Sequence, residues 1–216
     1  MMQEHGKDRS GTLNRRQKMT DRIADKIFEH EKLRKIRQGY HEAIEDIITR
    51  YYDEILRFCV YQLHDTDKAY DITQETFLRF IKNISHLEEK SLKGYLLTIA
   101  KNLCADYWNI CGREHAAGLI QEHDNAQACT HLTAVHEDPG GRKRIDSIEY
   151  ERVENNMFLS ELLSKLPHEQ REAVILRYYN DLKLTEIAKI QGVSLSTVKS
   201  RLRLGVERLK KYTQSK

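Results

Sequence analysis

The chain has 216 residues, 32% of them charged, with only two prolines and a formal net charge of +3. This composition favours a helical protein over a strand-rich one. No apolar run approaches the ~20 residues that span a bilayer, and the N-terminus lacks the apolar stretch of a secretory signal. We therefore expect a cytoplasmic protein without membrane insertion. Its cysteines, Cys59, Cys104, Cys111 and Cys129, should then be reduced, and their spacing gives no CxxC pair.

The first half of the chain predicts several helices in sequence. Residues 1–32 form a polar extension, and we expect residues 1–20 to be a mobile tail. Apolar residues recur at helical spacing from 33 to 48 and again, after a break, from 51 to 63. A turn at 64–67 offers an Asp or Thr N-cap for a helix over residues 68–84, and a further helix is predicted from 91 to about 109.

Residues 111–153 lack a sustained period and contain a Pro-Gly-Gly sequence, so they are predicted to be a flexible linker. The linker carries clustered metal-ligand types, which support the hypothesis of a weak or regulatory metal site at most. These residues are Cys111, His115, His123, Cys129, His131 and His136. The competing interpretation is chance occurrence in a solvated segment, and we expect neither a bound metal nor a cofactor.

The C-terminal segment, residues 154–213, predicts a helix-turn-helix. A short helix up to Leu166 and a helix from Pro167 to about Tyr179 come first. Thr185 is then expected to cap the next helix, Gly192 to form the turn, and Ser194 to cap a second helix. From residue 181 to the end, the sequence contains nine Lys and Arg residues but only three acidic residues. A cationic second helix after a tight turn is typical of a protein that binds the major groove of DNA.

The second helix of this pair is predicted to bury one face and present the other to DNA. Leu195, Val198 and Leu202 should face the hydrophobic core. Lys and Arg neutralise phosphates, while Ser and Thr bond phosphates or base edges. The residues expected to face DNA are Ser196, Thr197, Lys199, Ser200, Arg201 and Arg203. The competing interpretation is a basic, solvated helix with no role in DNA binding.

Two further sequence stretches carry a family resemblance. The strings YYDEILRFCVYQLHDTDKAYDITQETFLRFIKNI and LKGYLLTIAKNLCADYWN resemble the second conserved region of bacterial RNA polymerase sigma factors. The string KLPHEQREAVILRYYNDLKLTEIAKIQGVSLSTVKSRLRLGVERLKKY resembles their fourth region, and the whole resembles the extracytoplasmic-function (ECF) group. The resemblance implies an all-α protein of two small helical domains joined by a flexible linker. Region 2 would cover residues 33–110 and region 4 residues 154–213.

The resemblance also implies roles for particular residues. One face of the 68–84 helix would dock on the clamp helices of the largest polymerase subunit, through Asp71, Gln74, Glu75, Leu78 and Arg79. The 91–109 helix would open the minus-ten promoter element, with Asn102 capturing a flipped base, through Lys101, Asn102, Asp106, Tyr107 and Trp108. Tyr95 stands where the family usually has Trp, and Lys101 where Arg is common. The alternatives are a solvated face for the first set and core packing for Tyr107 and Trp108.

By this resemblance, the chain is a promoter-specificity subunit and not an enzyme. It would bind core RNA polymerase, recognise the minus-thirty-five element of promoter DNA through its last helix, and melt the minus-ten element without ATP. An anti-sigma protein is a further partner that the resemblance implies. The alternative function is a helix-turn-helix transcriptional regulator that acts without docking on core polymerase, which a palindromic site and a stable homodimer would favour.

Overall fold

The computed structural model describes residues 9–84, 91–116 and 159–214. Every regular element in these ranges is helical, which confirms the all-α prediction. The proposed linker, 111–153, lies outside them except for its first six residues, which belong to a helix. Predictions that concern residues 117–153 therefore fall outside the described part of the chain.

The N-terminal extension is helical where it is described. Helix α1 spans Arg9–Arg37, so residues 9–20 of the predicted tail belong to a helix. Helix formation is cooperative, and the helix is anchored further along, where Glu29 and Leu33 are buried. The chain then turns at Gly39, whose φ of +89° suits glycine.

Helix α2 runs without interruption over Glu42–Leu63. The predicted break between residues 48 and 51 is wrong, and the real break is the turn at residues 38–41. Continuous burial explains the difference, because Ile47, Tyr51, Ile55 and Phe58 form one inward stripe at steps of three and four residues.

Helices α3 and α4 pack on α2. Helix α3, Thr66–Asn83, is capped by Asp65, one of the Asp and Thr candidates of the predicted turn, and the Asp65 carboxylate accepts a 3.0 Å hydrogen bond from the Lys68 N–H. Helix α4 spans Leu92–Ala116 and buries Leu92, Leu96 and Leu97. Together α2, α3 and α4 form the first helical group of the protein.

The C-terminal group starts with a helical stretch at residues 159–164. Helix α5, His168–Val174, follows Pro167 and continues as a π-helical turn over Ile175–Tyr179. The wider turn is closed by a 3.1 Å hydrogen bond from the Asn180 N–H to the Ile175 carbonyl. Helices α6, Leu184–Gln191, and α7, Leu195–Gln214, complete the group.

The two helical groups share one continuous hydrophobic core. Helix α6 packs against α4, and α5 also contacts α2. Buried residues of the first group, such as Phe80 and Leu96, belong to the same cluster as Ile175, Ile187 and Val198 of the second. This packing fixes where the candidate binding surfaces of one group lie relative to those of the other.

Candidate DNA- and polymerase-binding surfaces

The turn between α6 and α7 has the local chemistry that the sequence predicts. Gly192 adopts a left-handed conformation with φ of +65°, and the Val193 N–H bonds the Ala188 carbonyl at 3.0 Å. Ser194 caps α7, since its Oγ accepts a 3.2 Å hydrogen bond from the Thr197 N–H. Both predictions, the turn glycine and the serine cap, are confirmed.

The start of α6 differs from its prediction. The helix begins at Leu184, so the expected N-cap at Thr185 is wrong. Glu186 reaches back instead, and its Oε2 accepts a 2.7 Å hydrogen bond from the Lys183 N–H. That bond satisfies a backbone donor just before the first turn, so the helix begins earlier in the chain than the expected cap.

Helix α7 buries one stripe and presents a cationic face. Val198 and Leu202 are buried as predicted, whereas Leu195 is 39% exposed, so its predicted core position is wrong. Leu195 is the first residue of the helix and lies at the margin of the buried stripe. Among the residues predicted to face DNA, four are exposed and two are partly buried. The exposed ones are Ser196, Lys199, Ser200 and Arg203, and the partly buried ones are Thr197 and Arg201.

The two arginines of α7 that were predicted to face DNA are held differently. Arg201 turns back towards α6, where its Nη1 donates a 3.0 Å hydrogen bond to Gln191 Oε1. Arg203 forms a 2.9 Å ion pair with Glu207 on the same helix, and both side chains are exposed. An exposed pair of this kind contributes little to stability, so Arg203 is the more available of the two.

The cationic surface extends beyond the residues chosen from the sequence. Arg208, Lys210 and Lys211 are also exposed on α7. Lys211 follows Arg208 by three residues, so both lie on one side of the helix. This spacing is the sequence signal that could have identified that pair. Leu204 is a further exposed residue that sequence reasoning missed.

Helix α3 presents the residues chosen for polymerase docking on its outer face. Asp71, Gln74, Leu78 and Arg79 are exposed, and Glu75 is partly buried. Arg79 Nε donates to Glu75 Oε1 at 2.8 Å.

An apolar strip runs along this outer face of α3. Leu78 is 51% exposed, and Ile81, three residues later, is 38% exposed. Sequence reasoning missed Ile81, although its spacing from Leu78 places both residues on one side of the helix.

Helix α4 carries the residues chosen for the minus-ten element. Asn102 and Asp106 are exposed, while Lys101 is partly buried and donates a 3.3 Å hydrogen bond to Asn102 Oδ1. Tyr107 and Trp108 are partly buried against the hydrophobic core, with their rings edge to face at 5.9 Å. The structure therefore places the amide and the aromatic rings on one helix but leaves the rings only partly accessible.

A buried carboxyl group lies between the two candidate DNA-binding helices. Glu172, on α5, is 3% exposed. Burial raises its pKa to about 7, although the nearby cations Lys101 of α4 and Arg201 of α7 and a hydrogen bond with Gln191 act in the opposite direction. Sequence reasoning missed Glu172, because nothing in the string HEQREAV marks it as inward-facing.

The described residues contain neither a candidate metal site nor a candidate membrane span. Within residues 9–84, 91–116 and 159–214, no group of three or more His, Cys, Asp or Glu residues could hold a metal ion. The linker residues His123, Cys129, His131 and His136 lie outside those ranges, as does the side chain of His115. No helix of the described part is long and apolar enough to cross a membrane.

Two family models match the chain in order. The Sigma-70 region 2 model matches residues 47–109, which include α3 and most of α4. The model of Sigma-70, region 4 matches residues 159–209, which include the helix-turn-helix. The fold and these matches define the class as sigma-70-type RNA polymerase sigma factors.

Similar proteins narrow the class. The chain is 28% identical over 181 residues to the ECF RNA polymerase sigma factor SigW of Bacillus subtilis, covering 83% of this chain and 94% of the relative. It is also 28% identical over 162 residues to the ECF RNA polymerase sigma factor EcfG of Rhodopseudomonas palustris, covering 74% and 80%. The chain belongs to the ECF group of RNA polymerase sigma factors.

Solved structures share the fold. The sigma factor RpoE of Bartonella quintana, solved with the anti-sigma factor NepR, matches with a TM-score of 0.60 and 22% identity, over 79% of this chain and 96% of that one. CnrH, solved with the cytosolic domain of CnrY, matches with a TM-score of 0.59 and 16% identity, over 89% and 98%.

Proposed function

We propose that this chain directs transcription initiation by binding core RNA polymerase, recognising promoter DNA and melting the minus-ten element. The observation that supports the proposal is the presence of sequences that match regions 2 and 4 in one chain, each with exposed residues on the face proposed for binding. The role is not enzymatic, because the work of melting comes from binding energy placed on unpaired bases. Such a chain would act in the bacterial cytoplasm.

Helix α3 is the proposed docking surface for core polymerase. Leu78 supplies an exposed apolar anchor, with Ile81 beside it. Polar side chains at Asp71, Gln74 and the Glu75–Arg79 pair surround this anchor. An apolar centre with a polar rim is the usual anatomy of a protein interface.

Helix α4 is the proposed minus-ten surface. The exposed amide of Asn102 can bond the edge of an unstacked base, and Lys101 can neutralise a backbone phosphate. Asp106 lies one turn further along. Tyr107 and Trp108 pack partly into the hydrophobic core, so we assign them to the wall of the base pocket rather than to freely mobile stacking surfaces.

Helix α7 is the proposed reader of the minus-thirty-five element. Lys199 and Arg203 would contact phosphates, while Ser196 and Ser200 would bond phosphates or base edges. Thr197 is partly buried, and its backbone N–H already serves the Ser194 cap. Arg201 would contribute at the edge of the interface, because Gln191 holds its guanidinium.

An anti-sigma protein is the proposed regulatory partner. RpoE of Bartonella quintana was solved with NepR and CnrH with CnrY, and both share this fold. A pull-down from native cells that recovered only polymerase subunits would contradict this part of the proposal.

Run-off transcription with purified core polymerase, on fragmented DNA of the source genome, tests the function. Discrete transcripts that depend on the chain are expected, and their start sites would reveal both promoter elements by alignment. Leu78→Arg should abolish them by placing a charge in the docking anchor, whereas Tyr40→Arg, at an exposed aromatic residue outside α3, should not. Duplex binding without any transcript would favour the helix-turn-helix regulator instead.

A further inference from the structure

The orientation of Arg201 is set by a residue outside the predicted DNA-binding set. Gln191 is the last residue of α6 and is 9% exposed. Its Oε1 accepts the 3.0 Å hydrogen bond from Arg201 Nη1, and its Nε2 donates to the Glu169 carbonyl at 3.2 Å. One buried amide therefore joins α5, α6 and α7.

The chemistry of the two partners allows only one orientation of this amide. A guanidinium donates hydrogen bonds and accepts none, so the atom that faces Arg201 must be the amide oxygen. A backbone carbonyl accepts and cannot donate, so the atom that faces Glu169 must be the amide nitrogen. The nearby Glu172 carboxyl also forms a hydrogen bond with Gln191. The Gln191 side chain is thus fixed at both ends and holds Arg201 from one side.

The turn of the helix-turn-helix places Gln191 beside Arg201. Gly192 follows Gln191 directly and ends α6 in the left-handed conformation, with φ of +65°. On α7, Arg201 is partly buried and lies next to the stripe formed by Val198 and Leu202. Arg201 therefore borders the cationic face of α7 instead of standing at its centre.

Gln191 uses only part of the hydrogen-bonding capacity of Arg201. A guanidinium presents several N–H donors in a planar fork, and within the described part of the chain Gln191 is the one acceptor bonded to Arg201. Two parallel bonds from such a fork to O6 and N7 of guanine are the commonest specific contact in the major groove. Because Gln191 already holds the fork, less side-chain freedom is lost when these bonds form. A held guanidinium therefore suits recognition of a base.

Two other cations of α7 are held less firmly. Lys199 is exposed, and Arg203 pairs with Glu207 on the same helix, where both side chains are exposed. An exposed pair contributes little and leaves its side chains mobile. Mobile cations suit phosphates, which carry no sequence information, whereas the direction of Arg201 is fixed by a buried residue.

We propose that Gln191 is a positioning residue, which holds the Arg201 guanidinium so that it recognises one guanine at the edge of the minus-thirty-five element. The proposal rests on the proposed function of α7 as the reader of that element. Gln191 does not touch DNA in this arrangement and acts through Arg201. Lys199 and Arg203 supply affinity for every sequence, whereas Arg201 adds a preference for one base pair.

A double-mutant cycle tests whether Gln191 acts through Arg201. Gln191→Met retains the length of the side chain and removes the amide, and Arg201→Lys keeps the charge and removes the planar fork. Gln214→Met, at the exposed end of α7, is the matched control, and Lys199→Ala reports the loss of a charge alone. Each form is assembled with core polymerase and mixed with a library of random-sequence duplexes. Sequencing of the bound DNA then gives the base preference at every position.

The wild type should prefer guanine at one position by about tenfold, as expected of a bidentate contact. Gln191→Met should lower that preference roughly threefold or more, because the freed arginine must be ordered on binding, and should leave the other positions unchanged. Arg201→Lys should remove the preference, and adding Gln191→Met to it should change nothing further. Gln214→Met should match the wild type, and Lys199→Ala should weaken binding to all sequences alike.

An equal loss of affinity for every sequence in Gln191→Met would overturn the proposal, because the residue would then only stabilise the fold. So would an effect of Gln191→Met that persists beside Arg201→Lys or that falls at a different position. Thermal unfolding checks that each variant is folded. If Gln191→Met does not fold, Gln191→Asn replaces it, since its amide is one methylene too short for the bond to Arg201.

The same experiment separates failure of this proposal from failure of the proposed function. Absence of sequence-selective binding by the wild type assembled with core polymerase would refute the proposed function, and the positioning role with it. Selective binding by the wild type, with the same base preferences in Gln191→Met and Arg201→Lys, would refute the positioning role alone.

Discussion

The two candidate DNA-binding helices, α4 and α7, obtain their structure in different ways. Helix α7 is capped by its own neighbour Ser194 and exposes most of its polar face. Helix α4 also has a local cap, because its Gly94 N–H donates to Ser91 Oγ at 3.2 Å, but its Lys93 N–H donates to the carboxylate of Glu29, 64 residues earlier in the chain, and the helix lies partly under α6. A local sequence pattern is sufficient to identify the surface of α7, whereas the availability of α4 depends on tertiary packing.

The largest effect is expected at Glu172, between these two helices. Its pKa in the folded chain is about 7 against an ordinary value of 4.5, so the folded state binds the proton more tightly than the unfolded state. The stability it confers is full below pH 4.5 and is lost as pH rises through 7. Glu172→Gln should therefore stabilise the protein at pH 8 by roughly 3 kcal/mol, measured by urea unfolding.

The pH profile provides the control for this prediction. The gain from Glu172→Gln should shrink as pH falls from 8 and should nearly vanish at pH 4.5. Glu169→Gln, at an exposed residue of the same helix, should produce no such trend. If Glu172→Gln raised the unfolding free energy equally at every pH, the gain would come from better packing of the amide. Ionisation of the buried Glu172 carboxyl would then not explain it.

The next effect is expected at Asn102 on α4. Asn102→Ala removes the amide proposed to bond an unstacked base, and loss of such a contact costs on the order of 1–3 kcal/mol, or roughly tenfold to a hundredfold in open-complex formation. Permanganate footprinting of the promoter bubble measures this. Binding of core polymerase should not change, because Asn102 is not on α3. Normal permanganate reactivity would defeat the base-capture role.

Comparison of α4 with α7 also shows what sequence could and could not predict. Ser194 and Gly192 were identified, and the cap at Asp65 was limited to an Asp or Thr of the turn at 64–67, because caps and tight turns depend on neighbouring residues. The helical course of residues 9–20 was missed, since the polar sequence of α1 gives no apolar stripe and its anchor, Glu29, bonds residues far away in the chain. Arg201 was assigned to DNA by helical spacing alone, which cannot reveal its bond to Gln191.

The third prediction concerns how the two helices begin. Glu29→Ala would leave the Tyr51 hydroxyl and the Lys93 N–H without their acceptor, at a cost of about 2 kcal/mol in unfolding free energy. Ser194→Ala removes only a local cap of α7 and should cost about 1 kcal/mol. Hydrogen exchange should show that Glu29→Ala loosens the start of α4 and leaves α7 unaffected. Equal loosening of both helices would show that they are not anchored independently.

The smallest effect distinguishes two cations on α7. Lys199 is exposed, so Lys199→Ala should weaken binding to all duplexes less than tenfold at physiological salt and lower the slope of log affinity against log salt by about one. Arg201 is partly buried against Gln191, so Arg201→Ala should lower the slope by less and reduce thermal stability more. Fluorescence anisotropy across a salt series, with thermal unfolding of both variants, separates the two. Equal slopes and equal stabilities would mean that Arg201 leaves Gln191 on binding and contacts phosphate as Lys199 does.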